Sequence, residues 1–439
     1  MHEACEILIV GGGMAGCAAA YSLCVKMGCR DVVLLEQGAE AAPKGASSYG
    51  DSRMYRRMYD DPFYSRMQSQ ALEGWAELES RAGEKLLHEN GLLFYGAGTE
   101  NTVEGSVKGA AQTMRSLGIP HEELTAEQIE ERWPNVKAAA ASTLEEPTIG
   151  VFEATAGHIN SSAACRAMLR EARKKGLRVH FGETLSSLHP TTGTEVECVS
   201  LTGRSFLAKK AVVLAIGAWT GEFVKVHFGV ELDLTIWRVH TAHYCNKANT
   251  PLPQAYNFGR KKGSDGGLYY YFPNGSEKEE GPQSIKVGAD YVTDNKARDI
   301  VQSMRDFDGT PSEDVLSMMD SWVSGHLQGL GERVKGYCAP YTMTKDEQYF
   351  IIDKLPQAHT SSARMAPNQG NPPSISNPNM VVFAGCNGRA FKFAPLIGDC
   401  LAALATGTSA PMDISNFHIA KHIKHDCAPV PKLNALSKL

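Results

Sequence analysis

Between Glu6 and Glu36 the chain runs through an aliphatic stretch ending at Val10, the turn Gly11-Gly12-Gly13-Met14-Ala15-Gly16, a helix-like stretch from Cys17 to Met27, and a second apolar run from Val32 to Leu35. That order predicts strand, tight turn, helix and strand, with the acid Glu36 closing the unit. Each glycine has a separate task. Gly11 permits the sharp turn, Gly13 lets a pyrophosphate approach the backbone, and Gly16 allows close helix packing. The helix start at Met14 and Ala15 offers free N–H groups and a positive dipole to phosphate. Glu36, with Gln37 beside it, is placed to take the ribose hydroxyls of an adenosine. A glycine-rich turn alone is weak evidence, since such turns also serve purely structural ends. Strand, spacing and terminal acid together make a dinucleotide site the better reading.

At 439 residues and 43% hydrophobic content, the chain is too long for one ordinary core and too apolar for disorder, so two domains are expected. A net charge of -5 with both signs mixed gives no reason to expect nucleic acid or a membrane as partner. No apolar run approaches the roughly 18 residues of a membrane span, and the first strand begins so near Met1 that no signal peptide is expected. The eleven cysteines show no CxxC pair or regular spacing, which reads as reduced thiols inside a cell and excludes a disulfide framework or zinc site. No metal is expected.

The turn itself does not choose between NAD and FAD, because both present an adenosine diphosphate to such a loop. Later stretches bear on that choice. Ala211 to Ile216 is strand-like and ends in Gly217-Ala218-Trp219-Thr220, and Met380 to Gly385 repeats the pattern. Four more blocks follow in order: Gly45-Ala46-Ser47-Ser48-Tyr49-Gly50-Asp51-Ser52-Arg53-Met54-Tyr55-Arg56; Tyr269-Tyr270-Tyr271-Phe272-Pro273 with Ser284-Ile285-Lys286-Val287-Gly288; Tyr341 to Glu347 running into Phe350-Ile351-Ile352-Asp353; and Gly388-Arg389-Ala390-Phe391-Lys392-Phe393. In these blocks, spread from residue 7 to about 405, the sequence resembles the monomeric sarcosine oxidase, pipecolate oxidase and fructosyl amino acid oxidase family.

The resemblance implies an α/β fold, with a Rossmann-like FAD-binding domain of the glutathione reductase type interleaved with a mixed-sheet α+β substrate domain. The FAD domain is expected over 1–88, 152–225 and 346–436, and the substrate domain over 89–151 and 226–345. It further implies an FAD-dependent oxidase of a secondary amine amino acid, with oxygen as acceptor and hydrogen peroxide as product. Ser47, Ser48, Arg53, Gly217, Trp219, Gly388, Phe391 and Lys392 join the glycine turn as cofactor contacts. Arg56 and Lys392 are implied as the substrate's carboxylate clamp, since a guanidinium grips a carboxylate through two hydrogen bonds and a lysine adds a point charge. Without the other blocks, Arg56 reads as a surface ion pair and Lys392 as a solvated helix end. Lys286 is the candidate for stabilising superoxide as oxygen is reduced, and its bland alternative is a solvent-facing position on an edge strand. Arg53 holds negative charge near the flavin ring, and Tyr270 lines the substrate cavity or simply packs in the core.

The sequence also departs from the family's pattern. Covalent flavin attachment uses a cysteine with one residue between it and the Tyr-Thr pair, whereas two residues separate Cys338 from Tyr341 and Ala339 occupies the expected place. Its sulfur reaches the flavin only if the chain bulges there. A covalent link at Cys338 is taken over its close competitor, a buried free thiol. Tyr49 replaces a histidine, while Asp290 and Arg389 stand where the sarcosine oxidase branch has histidines. An acid in the cavity favours a larger substrate, such as an N-carboxyalkyl amino acid of the saccharopine type, with a cyclic imino acid such as pipecolate still open. Fructosyl amino acid oxidase, a flavin dehydrogenase with another acceptor, and a non-enzymatic flavin-binding protein remain as alternatives. The stretch 359–379 reads as an inserted solvated loop. The tripeptide Ser437-Lys438-Leu439 is a peroxisomal address, which makes the peroxisomal import receptor a partner beside the amine and oxygen. A monomer is expected.

Overall fold

The computed structural model describes residues 2–98, 104–141, 146–191, 194–246, 249–259, 267–272, 284–290, 300–355 and 379–424. Aliphatic and β-branched runs that need cover on both faces form the centre of the first sheet. Five parallel strands lie in the order Arg178–Phe181, Val32–Glu36, His2–Val10, Ser205–Leu214 and Asn379–Ala384. Ile351–Lys354 adds antiparallel to the last of these, while Val196–Ser200 and Leu185–Pro190 extend the sheet beyond Ser205–Leu214. Strand alternation sends Ile7, Ile9, Val32 and Leu34 into one apolar cluster and Leu8, Val10, Val33 and Leu35 into another. Both faces are dry, and each such side chain contributes roughly 1.5–3 kcal/mol of burial.

The helix after the glycine turn differs from its expected span. It runs Met14–Tyr21 and then widens into a π turn, Ser22–Lys26, in which the Met27 N–H reaches the Ser22 carbonyl at 2.9 Å. The long helix Pro62–Ala82 begins where Asp61 accepts the Phe63 N–H and Pro62 needs no donor partner, and it ends at Gly83 in the left-handed region.

The second sheet has nine strands. Its path is Ile300–Val301, Leu234–Cys245, Ser284–Asp290, Gly267–Phe272, Ala255–Gly259, Leu92–Ala97, Thr148–Glu153 and Glu122–Thr125, with Arg333–Thr344 also paired to Leu234–Cys245. Pairing is antiparallel except between Leu92–Ala97 and Ala255–Gly259. The expected division after residue 151 falls inside the strand Thr148–Glu153, which pairs along its whole length in this sheet.

Helix Glu313–His326 covers one face of the second sheet, with Val315, Leu316, Met319 and Trp322 packed on Tyr269, Tyr271, Ile285 and Val287. Trp322 and Tyr269 stack with ring centroids 4.4 Å apart. Alternation therefore turns Tyr270, Lys286 and Gly288 to the opposite face. Among the described residues no helix is long and apolar enough to cross a membrane.

Candidate active site

At the carboxyl end of the central strand the three glycines do different work. A Cβ at Gly16 would lie 1.8 Å from the Gly11 carbonyl oxygen, so the helix approaches the turn closer than any side chain permits. Gly11 sits at φ +104°, with the Ala215 oxygen 2.3 Å from where its Cβ would be. Gly13 is open by comparison, and a Cβ there would meet only Ser48 Oγ at 3.3 Å. Backbone is thus exposed on the side where a pyrophosphate would lie. Glu36 is buried and accepts N–H bonds from Gly12 at 2.5 Å and Gly38 at 2.7 Å. Burial raises its carboxyl above the ordinary value, although the N–H groups of Gly38, Gly12 and Gln37 oppose the shift. Gln37 itself is exposed. Ser48 Oγ accepts the Met14 N–H at 2.9 Å, which ties the serine block to the helix start. These residues fit an adenosine diphosphate.

From there a cavity of about 480 Å³ opens between the serine block, the second sheet and the Gly388–Lys392 turn. Among the described residues six cationic side chains line it, Lys44, Arg53, Lys286, Lys335, Arg389 and Lys392, against the single acid Asp308. Arg53 is held by three carbonyls, those of Ser52, Ser47 and Tyr49, at 2.7, 2.7 and 2.5 Å. Ser47 donates to the Pro340 carbonyl and so joins the serine block to the strand that carries Cys338. Lys286 is 6% exposed, with its Nζ 3.4 Å from Ser52 Oγ and 5.7 Å from the Phe272 ring centroid. This is a cavity-facing lysine and not one on a solvated edge. Behind it, burial first and then Lys286 and Lys335 lower His243 to about 3, which keeps that imidazole neutral. Tyr270 also lines the cavity, and its ring lies over Gly288, where a Cβ would be 2.0 Å from it.

The carboxylate clamp is arranged differently from expectation. Arg389 and Lys392 line the cavity, whereas Arg56 is not on its lining. Arg56 lies 1% exposed, donates to the Met58 carbonyl and pairs with Glu104. Its guanidinium is bracketed by Tyr59 at 4.1 Å and Tyr256 at 4.9 Å. The physical reason is local: a guanidinium this deep needs an anion within reach, and Glu104 supplies it. Burial, then the charge of Arg56, and also that of Arg389, hold Lys392 well below its ordinary ammonium value while Glu104 opposes them.

Other expected residues divide. Gly388, at φ +64°, and Phe391 line the cavity, and Phe391 stacks on Trp75 at 6.2 Å. Trp219 is 38% exposed on the turn that begins at Gly217, and neither residue lines the cavity, because the turn faces outward there. Asp290 pairs through its backbone with Leu268, and its side chain lies outside the described residues. So do the greater part of the 359–379 stretch and the tripeptide 437–439.

Cys338 is buried and lines the cavity. The bulge needed to bring its sulfur into register is not at this point. Cys338, Ala339, Pro340 and Tyr341 pair without interruption with His240, Val239, Arg238 and Trp237, and the irregularity lies farther back, between His243 and Tyr244. Sequence reasoning missed Glu104 and Tyr256. Glu104 belongs to a polar turn with no motif, and Tyr256 is one tyrosine among several in strand-like runs.

A parallel sheet with a glycine turn at its strand ends, joined to a cationic cavity walled by a mixed sheet, is the arrangement of a dinucleotide-dependent oxidoreductase. The chain belongs to the DAO family of FAD-dependent oxidoreductases, which it matches over residues 6–404. It is similar to the peroxisomal sarcosine oxidase of Homo sapiens, 28% identical over 421 residues that cover 95% of this chain and 96% of the relative. N-methyl-L-tryptophan oxidase of Yersinia pestis (strain Pestoides F) is 25% identical over 424 residues, covering 95% and 99%. Among solved structures, the open form of NikD, an amino acid oxidase of nikkomycin biosynthesis, aligns with a TM-score of 0.76 at 26% identity, covering 95% and 97%. Glycine oxidase from Geobacillus kaustophilus shares the fold, with a TM-score of 0.70.

Proposed function

We propose that this chain oxidises an N-substituted amino acid, using oxygen and releasing hydrogen peroxide. One observation carries the reading: a single cavity is lined both by Arg389 with Lys392 and by the buried Lys286. The turn Gly11 to Gly16 with Met14, Ala15 and Glu36 would hold the adenosine diphosphate of FAD, and Ser47, Ser48, Arg53, Gly388 and Phe391 its ring end. The chemistry a bound flavin supplies is two-electron oxidation of the C–H bond next to nitrogen, followed by reduction of oxygen. This chain's residues do the rest. Arg389 and Lys392 fix the substrate carboxylate, and the ring of Tyr270 closes the apolar side. Lys286 keeps a fixed positive charge in a dry site where an oxygen anion forms.

The six-to-one cationic lining supports a substrate with a second carboxylate, an N-carboxyalkyl amino acid of the saccharopine type, ahead of pipecolate. The sarcosine and N-methyltryptophan oxidases among its relatives support the N-substituted class. The uninterrupted register around Cys338 supports a flavin held without a thioether, so acid precipitation should leave the yellow colour in the supernatant. Residence in the peroxisome is supported by the peroxisomal human and mouse relatives and by the tripeptide Ser437-Lys438-Leu439. The decisive experiment screens N-methyl, N-carboxyalkyl and cyclic amino acids for peroxide release alongside anaerobic flavin bleaching. Bleaching without peroxide would replace the oxidase with a dehydrogenase, and no bleaching by any compound would end the amine reading.

A further inference from the structure

Behind the cationic wall of the cavity lies a carboxylate with no place in the reaction described above. Glu104 is 7% exposed; one of its oxygens accepts from Arg56 Nη2, and the other lies 3.3 Å from Arg389 Nη2. It therefore bridges an arginine that does not line the cavity to one that does. Burial pushes its carboxyl up, but Arg389, Arg56 and Lys392 together outweigh that and hold it below the ordinary value. The acid is ionised.

Its position is built, not incidental. Gly105 adopts φ +82°, and a Cβ there would stand 2.2 Å from the Asp60 Cβ, so only glycine allows the turn to come this close. Asp60 in turn accepts the Ser106 N–H at 3.2 Å and, through its carbonyl, the Thr113 hydroxyl at 2.7 Å. The segment carrying Arg56 and the segment carrying Glu104 are thus stitched twice, by the ion pair and by Asp60. The wall then sets two permanently charged guanidiniums, Arg56 and Arg389, against one anion, while burial and those same charges push Lys392 toward its neutral form.

We propose that Glu104 is a positioning residue of the substrate-carboxylate subsite: it neutralises Arg56, anchors Arg389 beside Lys392, and limits this wall to the charge that one carboxylate satisfies. The inference rests on the reading of the cavity as the site of an amino acid oxidase. It goes beyond that reading by assigning the specificity of this wall to a side chain that does not line the cavity. Removing the negative charge while keeping the shape should deepen the positive potential in a desolvated wall and overbind carboxylates.

The test titrates holoenzyme with cyclopentanecarboxylate, a ring acid with no oxidisable amine, and follows heat and flavin absorbance. In Glu104→Gln the dissociation constant is expected to fall about tenfold, and KM and kcat for a turned-over amino acid fall together. In the double variant Arg56→Met/Glu104→Gln, which removes both members of the buried pair, the constant returns toward wild type; Glu104→Asp, which keeps the charge, stays near it. A purely structural Glu104 would lower the melting temperature and leave every constant within about twofold, which overturns the proposal. Should the single variant fail to fold, a double-variant constant more than about tenfold from wild type overturns it as well. Absence of any carboxylate binding by wild type would sink the amino acid oxidase reading too, whereas wild-type binding that Glu104→Gln leaves unchanged sinks this proposal alone.

Discussion

The two ends of the site are made in opposite ways. The nucleotide end is contiguous chain and mostly backbone: four glycines within six residues, a helix start, and an acid at the next strand end. The carboxylate end is all side chain, with Arg56, Glu104, Arg389 and Lys392 brought from distant segments to one buried cluster. A backbone cradle tolerates almost nothing at its glycines because there is no side chain to move aside. A charge cluster tolerates paired changes and punishes single ones.

The largest expected effect breaks the first end. Gly16→Ala places a Cβ 1.8 Å from the Gly11 oxygen, and the purified variant should carry no flavin absorbance at all, whereas Gly13→Ala, which meets only Ser48 Oγ at 3.3 Å, should fold and retain a weakened flavin. Equal flavin content in the two would remove the distinction between the glycines. Next, Lys286→Met should slow reoxidation by oxygen about 10²- to 10³-fold while anaerobic reduction by substrate stays within about threefold. Stopped-flow traces of the two half-reactions separate these, and equal slowing of both would reassign the lysine to substrate binding.

The smallest effect is one of pH. His243, lowered from 6.5 to about 3 by burial and by Lys286 and Lys335, is neutral in the folded protein. Below pH 6.5 the unfolded chain takes up a proton that the folded one refuses, so stability present above 6.5 drains away as pH falls toward about 3. Denaturation between pH 7 and pH 5 should show a slope that His243→Gln reduces by up to about 1.4 kcal/mol per pH unit below 6.5. An unchanged slope would mean that neither burial nor the two lysines hold this ring neutral.

The same contrast explains what could be read in advance. The strand ending at Val10, the run Val32 to Leu35 and the acid Glu36 were legible because a parallel strand buried on both faces must be apolar throughout and must stop where polarity returns. The helix end at Met27 was legible too, but the widening of its last turn, Ser22–Lys26, into a π turn was not, being a backbone detail that side-chain periodicity does not encode. At the cationic end the residue types pointed to carboxylate binding, and Arg389 and Lys392 do line the cavity. Which arginine faces it depended on Glu104, whose turn reads as ordinary polar loop until Gly105 and Asp60 are seen to hold it.

The central strand of the parallel sheet is His2–Val10, and its neighbours come from residues 32–36 on one side and 205–214 on the other, with 379–384 beyond. The five parallel strands are therefore all available only after residues 379–384 have been made. His2–Val10 gains one neighbour early, at residues 32–36, but keeps its other apolar edge open to wrong pairing until residues 205–214 have followed.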